Sequence, residues 1–160
     1  MKRILAPILL LTLLFPALVI GETTGRIQWS FKNGKKHGPW IIYHDNGQLQ
    51  TKGTWKDGKK DGLWIYYYKN GQLSSKGTYK DGKEDGPWVR YFDNGQLLDK
   101  GTWKDGKKYG PWVTYHDNGQ LESKGTYKNG KEDGPWVFYN ENGTVYAGLP
   151  GTYKNGVKVK

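Results

Sequence analysis

The side chains capable of acid–base, nucleophilic or metal chemistry are few in this 160-residue sequence and form no recognisable motif. The histidines are His37, His44 and His116, and the last two hold equivalent positions about 29 Å apart if the repeats described below form a sheet. The absence of cysteine excludes disulfides, thiolate zinc sites and a cysteine nucleophile. We therefore predict a protein that is not an enzyme, with no catalytic residues, no metal site and no cofactor.

Lysine is the residue type whose spacing indicates binding, in a chain of formal net charge +10. Two lysine rows recur at a fixed spacing and are candidates for contacts to an anionic surface: Lys35, Lys59, Lys83, Lys107 and Lys131 in a turn, and Lys52, Lys76, Lys100 and Lys124 along a strand. Such rows could meet a linear anionic polymer or a lipid surface at several points. The alternative is that they only keep a one-layer sheet soluble and protect its edges from association.

Aromatic side chains offer a second candidate surface. Tyr66, Tyr68, Phe92 and Phe138 occupy positions that are polar in other repeats, and Arg90 is equivalent to Tyr66 and Phe138. We predict that these five residues face a partner, with local packing as the alternative.

The elements that position these residues follow from an internal repeat. The segment GKKHGPW at Gly34 returns in related form at Gly58, Gly82, Gly106 and Gly130, which defines five repeats of 24 residues. A partial sixth begins at Gly156, two residues late. Two Asn-Gly or Asp-Gly positions recur in every repeat, and for both we predict type I′ turns and therefore two strands per repeat. The fold predicted is all-β, an elongated single-layer antiparallel β-meander.

Recurring aromatic positions supply the cohesion of this meander. The structural aromatics are Trp40, Trp64, Trp88, Trp112 and Trp136, and Tyr43, Tyr67, Tyr91, Tyr115 and Tyr139. Strict alternation places the tryptophans opposite the tyrosines, although the Gly-Pro pairs before most tryptophans could remove them from regular pairing. The mixed column is the set of residues two positions after each tryptophan, and its varied composition predicts that it points to solvent or to a partner: Ile42, Tyr66, Arg90, Thr114 and Phe138.

The first residues have the layout of an export signal. Met1-Lys2-Arg3 precedes a mainly apolar run, Ile4–Ile20, and the polar chain begins after Gly21. We predict a signal peptide over residues 1–21, with the alternative of an uncleaved N-terminal membrane anchor. Export to the periplasm, the cell surface or the medium follows, and a nucleic-acid partner is not expected because arginine is also scarce.

The unit G-K-x-x-G-x-W-x-x-Y-x-x-N-G-x-L-x-x-x-G-x-[WY]-x-[DN]-G-K resembles the MORN-repeat variant found widely in bacterial proteins. The resemblance covers residues 31–156 and implies a MORN-like β-hairpin repeat domain over residues 22–160. It also implies protein assembly or membrane-surface association, without catalysis. Many members are labelled antitoxins of toxin–antitoxin pairs.

These observations predict an exported interaction scaffold that binds a protein partner or an anionic cell-envelope component. An antitoxin or immunity role is the first alternative. The second is a glycan- or choline-binding module that uses the aromatic rows, since Trp64–Tyr68 partly resembles choline- and glucan-binding repeats. The sequence does not indicate the oligomeric state or the identity of the partner.

Overall fold

The computed structural model describes residues 19–20, 27–28 and 30–160, and every regular element within them is a β-strand. The predicted leader therefore lies outside the described residues except for Val19–Ile20. The strands are β1 (Val19–Ile20), β2 (Ile27–Gln28), β3 (Ser30–Lys32), β4 (Lys35–Lys36), β5 (Gly38–Tyr43), β6 (Leu49–Lys56), β7 (Lys59–Tyr67), β8 (Leu73–Lys80), β9 (Lys83–Tyr91), β10 (Leu97–Lys104), β11 (Lys107–Tyr115), β12 (Leu121–Lys128), β13 (Lys131–Glu132), β14 (Gly134–Phe138), β15 (Gly151–Lys154) and β16 (Val157–Lys158).

The strands pair as a meander. From β5 to β12 each strand is hydrogen-bonded to its neighbours in sequence, and all pairs are antiparallel. Strands β14 to β16 continue this open sheet at one end and β2 at the other, while β1, β3 and β4 form a small separate sheet. The predicted all-β hairpin repeat is confirmed.

One series of turns has the predicted geometry. Asp57 has φ 50° and Gly58 has φ 85°, so both central residues are left-handed, as a type I′ turn requires. The same holds throughout the series: Asn33–Gly34, Asp57–Gly58, Asp81–Gly82, Asp105–Gly106, Asn129–Gly130 and Asn155–Gly156.

The other series reverses the chain differently, and the prediction of type I′ turns there is wrong. At Asn46–Gly47 the glycine has a positive φ and the asparagine does not. Asn46 instead uses its side chain, since Oδ1 accepts from the backbone N–H of Gln48 at 3.1 Å. Its Nδ2 donates to the carbonyl of Lys69 in the next loop at 2.6 Å. Asparagine is therefore suited to this position because it joins successive loops along one edge of the sheet.

The residues before each tryptophan remain within regular pairing. Pro39 pairs with Thr54 and Trp40 with Gly53, so the proposed exclusion of the tryptophans from the ladder is wrong. The glycine before each proline or leucine absorbs the irregularity: Gly62 has φ 73°, and the register between β6 and β7 shifts between Lys52 and Thr54.

The tryptophans lie on one face, and the core of the described sheet is a row of their rings. Trp64 and Trp112 are each 2% exposed. They are packed close to backbone: a Cβ added at Gly101 would lie 1.9 Å from the ring of Trp112. Glycine is needed in the facing strand because the indole lies flat against it.

The mixed column shares this aromatic face, so the prediction that it points to solvent is wrong where the column is aromatic. Tyr66 stacks on Trp64 with ring centroids 6.1 Å apart, and Phe138 stacks on Trp136 at 5.8 Å. Alternation places residues two positions apart on the same side of a strand.

Candidate functional site

A shallow apolar groove of about 650 Å³ lies along the face that carries the residues before and after each tryptophan, and Trp88 and Trp112 also border it. Its apolar lining includes Leu63, Pro87, Val89, Pro111 and Val113. These side chains come from β7, β9 and β11, where the residue before each tryptophan and the residue after it both point away from the aromatic face. Leu63 is 54% exposed, so the groove is open to solvent.

Lysines alternate with β-branched residues across this groove face. Lys76 pairs with Ile65 on one side and Val89 on the other, and Lys100 pairs with Val89 and Val113. Both lysines line the groove. The strand row, defined as Lys52, Lys76, Lys100 and Lys124, is exposed and repeats every second strand, at about 9.6 Å. The surface is therefore an apolar strip with regularly spaced positive charges.

The turn row, defined as Lys35, Lys59, Lys83, Lys107 and Lys131, lies at the edge of the sheet. The side chain of Lys59 lies over the next turn, because a Cβ on Gly82 would be 3.5 Å from the lysine Cβ. Lys83 lies in the same way near Gly106. The two rows predicted from sequence are therefore on different surfaces.

A third set of lysines lies on the aromatic face. The Nζ of Lys60 is 4.5 Å from the ring centroid of Trp64 and 4.8 Å from that of Tyr79, and it donates to the Oη of Tyr66 at 2.6 Å. Burial lowers the pKa of Lys60 because the ammonium loses water contacts. Burial also raises the pKa of Tyr66 and of Tyr79, since a phenolate would be poorly solvated there.

The same arrangement recurs two repeats later. The Nζ of Lys108 lies 4.3 Å from the ring centroid of Trp112 and 4.9 Å from that of Tyr127. Burial lowers the pKa of Lys108, and burial together with the neighbouring Glu132 raises the pKa of Tyr127 to about 12. These lysines are structural cations that cover the rings.

The five residues predicted to face a partner do not form one patch. Tyr66 and Phe138 pack in the aromatic row, and Arg90 is bound to the carboxylate of Asp99. Tyr68 donates from Oη to the carbonyl of Tyr91 at 2.7 Å, and Phe92 begins a loop, its backbone N–H donating to Gln96 at 2.8 Å. A role in binding a partner stays a prediction for each of them.

The apolar lining of the groove was missed by the sequence analysis. Its signal is the position before each tryptophan, which is Leu63 in one repeat and proline at Pro39, Pro87, Pro111 and Pro135. The sequence shows this position only as a possible break in strand pairing, whereas the structure shows Leu63 as a large apolar side chain that is 54% exposed.

Metal-binding geometry does not occur among the described residues, where no three His, Asp or Glu side chains come close enough to share an ion. Two of the histidines contact backbone carbonyl groups instead. The Nε2 atoms of His44 and His116 lie 2.9 Å from the carbonyl oxygens of Tyr67 and Tyr139. In the described part of the chain, no helix has the length and hydrophobicity to cross a bilayer.

Comparison with known proteins identifies the repeat. A family model described as MORN repeat variant matches residues 36–57, 60–81, 84–105 and 108–129 in succession. Among curated proteins the chain has no match.

Proposed function

Because the chain belongs to the MORN repeat variant family, we propose that it is an exported scaffold that binds an acidic segment of a partner protein in the groove. MORN repeats are involved in protein or membrane interactions, and the family is generally one of non-catalytic binding modules. The observation that carries the proposal is the alternation of exposed lysines with apolar side chains along the groove.

A polypeptide is the occupant proposed because lysines and apolar side chains alternate along the groove, and a segment with the matching alternation of acidic and apolar side chains would contact both. Binding to a lipid surface is the outcome that the test below distinguishes. The strand row suits a partner that carries several acidic side chains along one edge, with apolar side chains between them. The exposed lysines would supply orientation and association rate, and burial of apolar area would supply affinity.

The binding test compares two charge reversals of equal size. Lys76→Glu/Lys100→Glu reverses the charge of two lysines of the strand row. Lys83→Glu/Lys107→Glu reverses the charge of two lysines of the turn row, so the change in net charge is the same. The probes are an alternating Val-Glu peptide, the same peptide with glutamine for glutamate, and vesicles of phosphatidylglycerol or phosphatidylcholine. We expect the acidic peptide to bind the natural protein and the turn-row variant, and to bind the strand-row variant at least about tenfold more weakly.

Each other outcome counts against the proposal. Equal weakening in both variants would show that net charge, rather than the groove, attracts the peptide. Binding to phosphatidylglycerol vesicles without binding to the peptide would replace the protein partner with a lipid surface. Equal binding of the glutamine peptide would remove the role of the lysines.

Export is tested separately, on the full chain produced in cells. We propose cleavage before Glu22, so mass spectrometry of protein recovered outside the cytosol should find an N-terminus at that residue. Recovery of the full chain in the cytosol alone would contradict export, and recovery of the full chain in the membrane fraction would favour an uncleaved anchor.

A further inference from the structure

The residue four positions before each repeat tryptophan differs among the repeats, and where it is a lysine its ammonium group lies over the rings. In three repeats it is a lysine: Lys36, Lys60 and Lys108. Lys36 lies 4.4 Å from the ring centroid of Trp40 and 4.5 Å from that of Trp55. Lys60 and Lys108 cover their tryptophans and the aromatic residue of the following strand in the same way. Each of these ring pairs is a seat for one ammonium group.

The third repeat has Glu84 at this position, and the corresponding rings are those of Trp88 and Trp103. The carboxylate of Glu84 lies toward the turn, where its Oε2 would be 3.9 Å from a Cβ on Gly106. No cation of the described chain lies over either ring. Trp88 is partly exposed, whereas Trp64 and Trp112 are each 2% exposed.

A second kind of cover is also missing at Trp88. In the second and fifth repeats, the residue two positions after the tryptophan is aromatic and stacks on it, as Tyr66 does on Trp64 and Phe138 on Trp136. The equivalent residue of the third repeat is Arg90, whose guanidinium is bound to Asp99. Trp88 is therefore left without the lysine cover and without the aromatic cover.

The row of rings is also interrupted at this point. Ring contacts run from Trp40 to Trp88 and resume from Trp103 to Tyr153, and within the described residues no ring contact joins Trp88 to Trp103. In the lysine-covered repeats the corresponding rings are in contact, for example Trp112 and Tyr127 at 5.9 Å. The third repeat thus presents two indole rings that do not contact each other and that no lysine of the described chain covers.

We propose that Trp88 and Trp103 form a binding seat for the alkylammonium group of a ligand, a lysine side chain of a partner protein. The faces of indole rings attract cations, and the attraction increases when water is excluded. A lysine fits this seat because the protein's own lysines occupy the three equivalent seats. The seat uses the rings of the aromatic face rather than the lysines of the strand row, so it does not depend on the function proposed above, although Trp88 also borders the groove.

The test uses NMR of isotopically labelled indole N–H groups, assigned residue by residue. The probes are N-acetyl-lysine methylamide, choline, and N-acetyl-norleucine methylamide as the uncharged match for the lysine derivative, each titrated to about 0.1 M because one cation–π contact gives weak binding. We expect the lysine derivative to shift the Trp88 and Trp103 signals and the norleucine derivative to leave them in place. Equal shifts from both would overturn the proposal, as would no shift from the lysine derivative.

Exchanges between repeats separate the seat from general effects. Glu84→Lys should fill the seat with an internal lysine and remove the ligand-induced shifts. Lys108→Glu should open a second seat, adding a ligand-induced shift at Trp112, since Thr114 provides no aromatic cover there. Glu132→Lys is the matched control, since it makes the same substitution in the fifth repeat, where Phe138 already covers Trp136. It should leave the Trp88 response unchanged.

Two outcomes remain informative if a variant is unstable or another cation binds. Glu84→Lys matches the natural second and fourth repeats, so retained ligand shifts in this folded variant would overturn the seat. Tighter binding of choline than of the lysine derivative would overturn lysine as the source of the ammonium group.

Discussion

Arg90 donates from Nε to one carboxylate oxygen of Asp99 at 2.9 Å and from a terminal nitrogen to the other. Asp99 is 3% exposed, and the equivalent positions in neighbouring repeats hold Ser75 and Ser123. Donation of these hydrogen bonds to the Asp99 carboxylate raises the pKa of Arg90 further above its ordinary value. A buried carboxylate is therefore held by one arginine across the strand pair β9 and β10.

Removal of the arginine alone should destabilise the protein. Arg90→Thr leaves the Asp99 carboxylate buried without its partner, and we expect a loss of about 2 kcal/mol in the free energy of unfolding. This is below the roughly 3–5 kcal/mol of fully buried pairs, because the Arg90 side chain is 47% exposed. Urea unfolding measures the change.

The matched control is Arg90→Thr/Asp99→Ser, which reproduces the residues that the next repeat has at Thr114 and Ser123. This double variant should recover most of the lost stability, since no unpaired charge remains buried. A double variant less stable than Arg90→Thr would contradict the assignment of the cost to the carboxylate.

Addition of one methyl group at Gly125 should also destabilise the sheet. A Cβ there would lie 2.1 Å from Cδ2 of Trp136, a ring that is 3% exposed and donates from Nε1 to the carbonyl of Thr126. We expect Gly125→Ala to lower the free energy of unfolding by about 3 kcal/mol, as for an overpacked core. Thermal unfolding of Gly125→Ala and of the exposed neighbour Thr126→Ala provides the comparison. Similar losses in both would indicate a general sensitivity of this strand.

The two turn series should respond differently to isosteric exchange. Asn94→Asp keeps the acceptor for the backbone N–H of Gln96 but removes the Nδ2 donor to the carbonyl of Asp117, and we expect a loss of about 1 kcal/mol. Asp81→Asn should change stability by less than about 0.5 kcal/mol, since asparagine occupies the equivalent position at Asn33 and Asn129. Chemical unfolding of both variants tests this contrast. Equal losses would mean that the cross-loop hydrogen bonds do not contribute.

Stability should fall in alkali, and Tyr127 should account for part of the decrease. Burial raises the pKa of Tyr127 in the folded protein to about 12 from an ordinary value of 10.0. The unfolded chain therefore releases this proton first, and the associated stability is present below pH 10 and is lost as the pH rises toward about 12. In Tyr127→Phe the decline of the unfolding midpoint between pH 9.5 and 11.5 should be shallower. A decline as steep as that of the natural protein would exclude this contribution.

Much of the fold was predictable because the repeat displays its own periodicity. Eleven of the Asn-Gly and Asp-Gly pairs mark chain reversals, and strict alternation places Trp64 and Trp112 on the other side of the sheet from Ile65 and Val113. The type of turn was not predictable from the dipeptide, because Asn33 and Asn46 carry the same signal but differ in the sign of φ, and Asn46 is bonded to the next loop. The packing of Tyr66 was not predictable, because the varied residue types of the mixed column are typical of a solvent-exposed position. Only the structure shows the ring of Trp64 stacked against Tyr66.

The sequence alone determines that this protein is a tandem array of β-hairpins joined by glycine turns, since strand period and turn chemistry are local properties of each unit. The tertiary structure alone decides which lysines are free and which are covered. Lys60 and Lys76 belong to one repeat and look equivalent as charges, yet the first lies over the rings of Trp64 and Tyr79 and the second lines the groove. That distinction arises between strands, because the neighbours that exclude water from an ammonium group come from different hairpins.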